Sequence, residues 1–215
     1  LAEAGIKHGI STRFGGVSTG CYQSMNLALH VADSPEKVWQ NRQIFCQALG
    51  MKAENLCTCQ QVHKDNICCV TAEEAGAGRQ EYAAAIADTD ALITNVPGIP
   101  LMLFFADCTP LMLYDPVKKV IAVAHGGWKG TAAMIAAKTV AKMQEVYGTS
   151  PQDCLAAIGP AIGPCCYEVG ENVQEIVRTV FPALSDKLLL VKGDQVHLDL
   201  WQANKLQLLE AGVQE

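Results

Sequence analysis

The chain has 215 residues, half of them hydrophobic, and a formal net charge of −6 without a basic cluster. That balance argues against nucleic acid or an anionic membrane surface as the main partner, and the longest apolar runs are strand-length, well short of the ~20 residues a membrane helix needs. The ten cysteines lie mostly inside apolar runs and no export signal is evident, so they read as reduced thiols of a cytoplasmic protein, packed as small hydrophobes in a domain large enough to hold a core without disulfides.

Taken in chain order, residues 6–14 read as a strand ending in Arg13-Phe14-Gly15-Gly16, and residues 15–26 as a loop rich in Gly, Ser, Thr and Asn. Ser34-Pro35-Glu36 is a helix start: a hydroxyl cap, a proline at the first helical position and an acid in the first turn. Val38, Phe45, Ala48 and Leu49 then share a face, and Gly50 ends the helix. Residues 55–62 and 66–71 read as short strands about a bend or hairpin at His63-Lys64-Asp65, residues 73–82 as a loop, and residues 88–95 as a strand closed by Val96-Pro97-Gly98.

Two apolar runs in the middle, 101–106 and 120–124, read as strands buried on both faces. Each stops at chemistry: the first at Asp107 and Cys108, the second at His125 followed by Gly126-Gly127-Trp128-Lys129-Gly130. Residues 131–147 form the clearest helix, with Ala132, Ala136, Val140, Met143 and Tyr147 on one stripe, and its start would aim free N–H groups at an anion. Residues 154–159 read as a buried strand; Val173, Ile176, Val177, Val180 and Phe181 mark an amphipathic helix; a last helix covers 199–209. No linker interrupts the chain, so residues 1–215 read as one domain. Strands gather early and helices late, which predicts an α+β fold with a mixed sheet.

Three side chains stand out at the ends of predicted strands: His63, Cys108 and His125. Singly, each is as readily a hydrogen-bonded or packed residue. Together they allow two chemistries. Two imidazoles and a thiolate bind Zn²⁺ and leave a fourth position for water, whose pKa falls to about 7. Alternatively, Cys108 is a nucleophile and a histidine its base. The spacing does not choose between them. Arg13 and Lys129, each beside a glycine loop, are either solvated cations or contacts for a phosphate or ligand oxygen. The segment 126–130 is not the phosphate loop of nucleoside triphosphatases. Cys57, Cys59, Cys68 and Cys69 would suit a soft metal, but their strand setting favours core packing.

The motifs HGISTRFGGVS (8–18), NLALHVADSPEKVWQNR (26–42), QVH (61–63), ADCTPLMLYDP (106–116), AHGGWKGT (124–131) and IGPAIGPCCYEVG (158–170) occur in an order that resembles the YfiH-type, or laccase-domain, family. This family was first labelled multicopper polyphenol oxidoreductase and is now understood as purine nucleoside phosphorylases with adenosine deaminase activity. The resemblance implies a layered α/β/β/α sandwich with mixed sheets, and a metal bound by His63, Cys108 and His125, with zinc expected and copper the alternative. It further implies Cys108, His125 and Asp107 as the reacting groups, and Arg13, Asn26, Gln61 and Lys129 as contacts for a purine nucleoside and phosphate. A homo-oligomer is compatible with the family. Copper-dependent oxidation of phenols is the second reading, although five histidines are few for a multicopper site. A Cys/His hydrolase is the third and a binding module without turnover the fourth. Three features depart from the family pattern: Phe14 where a histidine is common, Lys129 where an arginine is common, and an end at Glu215 before the usual C-terminal segment.

Overall fold

Helix α1 (Pro35–Ala48) begins where its sequence predicts, with the Ser34 hydroxyl accepting from the Lys37 amide. The computed structural model describes residues 1–215 and continues with β1 (Cys57–Thr58), β2 (Ile67–Cys69), β3 (Ala91–Thr94), β4 (Leu101–Met102), β5 (Thr109–Asp115) and β6 (Val120–Gly126). Helices α2 (Trp128–Ala132) and α3 (Ile135–Tyr147) follow, then β7 (Leu155–Ile158), α4 (Glu171–Val180), α5 (Ser185–Leu188), the β8 (Leu189–Lys192) and β9 (Gln195–Leu198) hairpin, and α6 (Leu200–Glu210). No helix is long and apolar enough to cross a membrane.

The centre is a five-stranded mixed sheet in the order β2-β3-β6-β5-β7, parallel only between β2 and β3. Strand side chains alternate between its faces. Ala91, Ile93, Leu111, Leu113, Ala122 and Ala124 pack with Ile135, Val140 and Met143 of α3 and Leu208 of α6. Leu92 instead packs with Cys57, Cys59, Val70, Ile99 and Leu103 around the parallel pair β1–β4. A third cluster joins α4, α5, α6 and the β8–β9 hairpin through Val173, Val177, Leu188, Leu198 and Leu200. The result is the expected mixed α/β fold, with helices over one face of the central sheet and the small β1–β4 sheet over the other.

The register of β5 against β6 sets up the site. Thr109 lies opposite Gly126 and Pro110 opposite His125, so Cys108, just before β5, and His125, near the end of β6, meet at one end of the sheet. Pro110 disguises β5 in the sequence, because a proline argues against an internal strand. It is tolerated at the second position, where its carbonyl still accepts from the Gly159 amide at 2.8 Å.

Four expectations shift. Residues 6–14 run without strand pairing. The apolar run 101–106 is a strand only over Leu101–Met102. Strands β1 and β2 belong to different sheets and form no hairpin. The helix expected over 131–147 is broken: Met134 adopts a left-handed φ of 66° between α2 and α3. The physical reason lies in α2, which rests flat on backbone. A Cβ at Gly130 would stand 3.0 Å from the carbonyl oxygens of both His125 and Lys64. Helix α6 pins α2 in place, with Asn204 Nδ2 donating to the Thr131 hydroxyl at 3.0 Å and Gln207 Nε2 to the Thr131 carbonyl at 2.8 Å.

Candidate metal centre

The site is built around a residue without a role in the sequence reading. Asp90, fully buried at the head of β3, accepts from the amides of Val62 (3.2 Å), His63 (2.9 Å) and Lys64 (2.8 Å), and from His125 Nδ1 at 3.1 Å. One carboxylate therefore fixes the loop that carries one histidine and the ring of the other. The backbone cooperates, since the His125 amide donates to the Asp90 carbonyl at 2.8 Å. His63 and Asp107 both sit in the left-handed region, at φ 60° and 75°. Such strain gathers at functional positions and persists only where the surroundings impose it. Here Asp90 holds His63, and the Ile162 amide holds the Asp107 carbonyl at 2.9 Å.

The ligand atoms of His63, Cys108 and His125 all lie within 4.8 Å of one another. The two imidazoles stand edge to face with centroids 4.6 Å apart. His125 is buried, Cys108 half-buried and His63 exposed, so the cluster opens to solvent on the His63 side. Phe105 covers His125 from another side, its centroid 5.5 Å away. Gly127 keeps the middle clear: a Cβ there would meet Cys108 Sγ at 3.0 Å and His63 Cδ2 at 3.4 Å.

Burial pushes the His125 imidazole down, but its hydrogen bonds to Asp90 and Cys108 outweigh that and raise it to about 9. Burial and the nearby His125 lower His63. Despite its burial, Asp90 is held below the ordinary carboxylate value by the hydrogen bond from His125 and the three backbone amides. With Nδ1 given to a carboxylate, His125 keeps Nε2 for a metal, the usual supporting arrangement for a ligating imidazole. Two imidazoles, one thiol, a cleared centre and one open side fit what a catalytic zinc site takes from a protein. The cysteines at 57 and 59 do not form a second centre. They are buried in the core, where burial pushes Cys57 up to about 12 and Cys59 higher still.

The other expected contacts are placed as follows. Lys129 Nζ lies 5.6 Å from the Trp128 ring centroid, and its charge is felt at His63. Asp107 is exposed beside Cys108. Gln61 uses both ends of its amide on Phe104, accepting from its N–H at 2.8 Å and donating to its carbonyl at 2.9 Å. Asn26 is tied to Ala28 and Asp33 within its own loop. Arg13 donates to the Gln23 carbonyl in the exposed segment. Thr131 starts no helix: its amide donates to the Gly127 carbonyl at 2.8 Å, and the residue is buried. A cavity of about 990 Å³ lies under residues 5–11 against β5 and β6 and borders none of the three ligands.

Fold and donor set together define a mixed α/β protein with a His/Cys/His cluster able to hold a metal ion at one end of its central sheet. The family described as multi-copper polyphenol oxidoreductase laccase matches residues 7–215, and the chain belongs to it. It is 40% identical over 211 residues to the purine nucleoside phosphorylase YlmD of Geobacillus stearothermophilus, covering 98% of this chain and 77% of that protein. It is 32% identical over 195 residues to the adenosine deaminase RL5 of an unknown prokaryotic organism, covering 89% of this chain and 73% of that one. The crystal structure of the Geobacillus YlmD superposes with a TM-score of 0.91 over 95% of this chain and 76% of that one, at 40% identity.

Two outcomes are expected. In Gly127→Ala the backbone, at φ −68°, accepts the new methyl group, but the group enters the space among the ligands. Zinc affinity measured by competition with a chromophoric chelator falls about tenfold or more, while the melting temperature of the metal-free protein moves little. Second, His125 is raised above its unfolded value of about 6.5, so its ion pair with Asp90 stabilises the metal-free protein fully below pH 6.5. That contribution fades as pH rises towards 9. Thermal unfolding of the metal-free protein shows this slope relative to Asp90→Asn, which lacks it.

Proposed function

We propose that this chain is a zinc-dependent purine nucleoside phosphorylase with adenosine deaminase side activity, acting on small molecules in the cytoplasm. The observation that carries the reading is the convergence of His63, Cys108 and His125 around a space left open by Gly127. The names of the relatives supply the substrate class. In phosphorolysis, phosphate forms a bond to C1′ of the ribose while the bond from C1′ to the base breaks and the base leaves with a proton. In deamination, water replaces the amino group at C6 of adenosine.

Zinc, when bound, supplies a Lewis acid and a hydroxide at neutral pH. The chain's own residues do the rest. Asp90 holds the Nδ1 proton of His125 and so keeps Nε2 as the donor. Lys129 offers a positive charge to phosphate on the His63 side. Phe105 shields His125 from water, and exposed Asp107 is the carboxylate at hand for proton exchange. A thiol hydrolase is the second reading, favoured by the closeness of Cys108 to His125. Copper-dependent phenol oxidation is disfavoured, because the one metal-capable cluster holds only two of the five histidines.

Inosine with phosphate, and adenosine alone, are incubated with the zinc-loaded protein and the products separated by chromatography. Hypoxanthine with ribose-1-phosphate, and inosine with ammonia, are expected. His63→Ala and Cys108→Ser lose roughly 100-fold or more, and chelation abolishes turnover until zinc is returned. Turnover that survives chelation, but not alkylation of Cys108, favours the hydrolase. No product from zinc-loaded protein overturns the proposal.

A further inference from the structure

Resting on that reading of the site, we propose that His30, Tyr82 and Phe104 form the platform that receives the flat base of the nucleoside. The His30 ring lies between the other two, its centroid 5.8 Å from Tyr82 and 5.7 Å from Phe104. His30 and Tyr82 are exposed, and Phe104 is half-buried. The patch adjoins the candidate metal centre through the chain, since Phe105, the residue after Phe104, lies edge-on to His125 with ring centroids 5.5 Å apart.

The patch is assembled around one buried cation. Arg42 is 1% exposed and has no carboxylate partner. Its guanidinium donates to the carbonyls of Leu27, Gly78 and Arg79, and lies 5.0 Å from the Phe104 ring centroid. One cation thus ties together the segment leading to His30, the segment leading to Tyr82, and Phe104 itself. Burying a lone charge is costly, and a structure that needed only core packing would gain by an apolar residue there. Two consecutive glutamines complete the arrangement: Gln60 Nε2 donates to the Tyr82 carbonyl at 3.1 Å, and Gln61 clamps the Phe104 backbone. Both sit just ahead of the ligand His63, so the segment that positions a ligand also positions the aromatic rings. Two exposed aromatic rings, His30 and Tyr82, beside the candidate centre suit a planar heteroaromatic ring, because stacking accepts any π face.

The test compares zinc-loaded wild type, His30→Ala and His30→Phe. It uses steady-state phosphorolysis of inosine and calorimetric binding of inosine. The exposed position lets the variants fold, and equal zinc content verifies the metal site. His30→Ala is expected to raise KM and Kd for inosine about tenfold, with kcat and KM for phosphate nearly unchanged and with His30→Phe restoring most of the affinity. If the wild type turns inosine over and His30→Ala binds it as tightly, this inference fails alone. If inosine binds through His30 but yields no product, the proposed reaction fails alone. Absence of binding to the wild type overturns both.

Discussion

The Asp90 carboxylate lies out of reach of solvent and takes hydrogen bonds from three consecutive amides and one imidazole. A buried carboxylate without partners would be expensive, and the same group with every partner in place specifies one arrangement of its neighbours. His63 and His125 are 62 positions apart in the chain, as their numbers show, yet both are oriented by these two oxygen atoms. The third ligand, Cys108, is delivered by a different device. The β5–β6 register carries it to His125, and the strained backbone of Asp107 turns it inward.

Around that carboxylate the chain keeps side chains away wherever backbone must come close. Gly127 clears the space between the ligands, and Gly130 lets α2 rest on the carbonyls of His125 and Lys64. Asn204 and Gln207, on the last helix, then close the far side of α2 through Thr131. The five-stranded sheet and its apolar contacts with α3 supply the rigid base. Metal ligation of this kind needs fixed first contacts backed by a second layer of hydrogen bonds, and both are visible here.

Much of this was legible in the sequence, and the illegible parts share a cause. Helix α1 announced itself through Ser34, Pro35 and Glu36, because capping is a local interaction. His125 and Cys108 stood at the ends of apolar runs, so their chemistry could be read, but their meeting depends on a long-range register that periodicity does not contain. Pro110 concealed β5 by breaking the local rule for internal strands. Met134 broke a helix that the apolar stripe predicted as continuous, since tertiary contact at Gly130 overrode the pattern. Asp90 lies inside the strand expected over 88–95, two residues after Asp88 and directly before the apolar run Ala91-Leu92-Ile93, and only the fold reveals that it is buried. Gln61 and Asn26 were legible as polar residues in motifs, yet their hydrogen bonds are spent inside the protein.

One buried carboxylate orients two imidazoles, and the β5–β6 register adds a thiol, to form a single candidate metal-binding centre. Anomalous diffraction at the zinc edge from crystals grown with stoichiometric zinc addresses it directly. One strong peak is expected, bonded to His63, Cys108 and Nε2 of His125, with Asp90 still hydrogen-bonded to Nδ1. A peak elsewhere on the molecule, or an ion held by His125 through Nδ1 with Asp90 displaced, would contradict it.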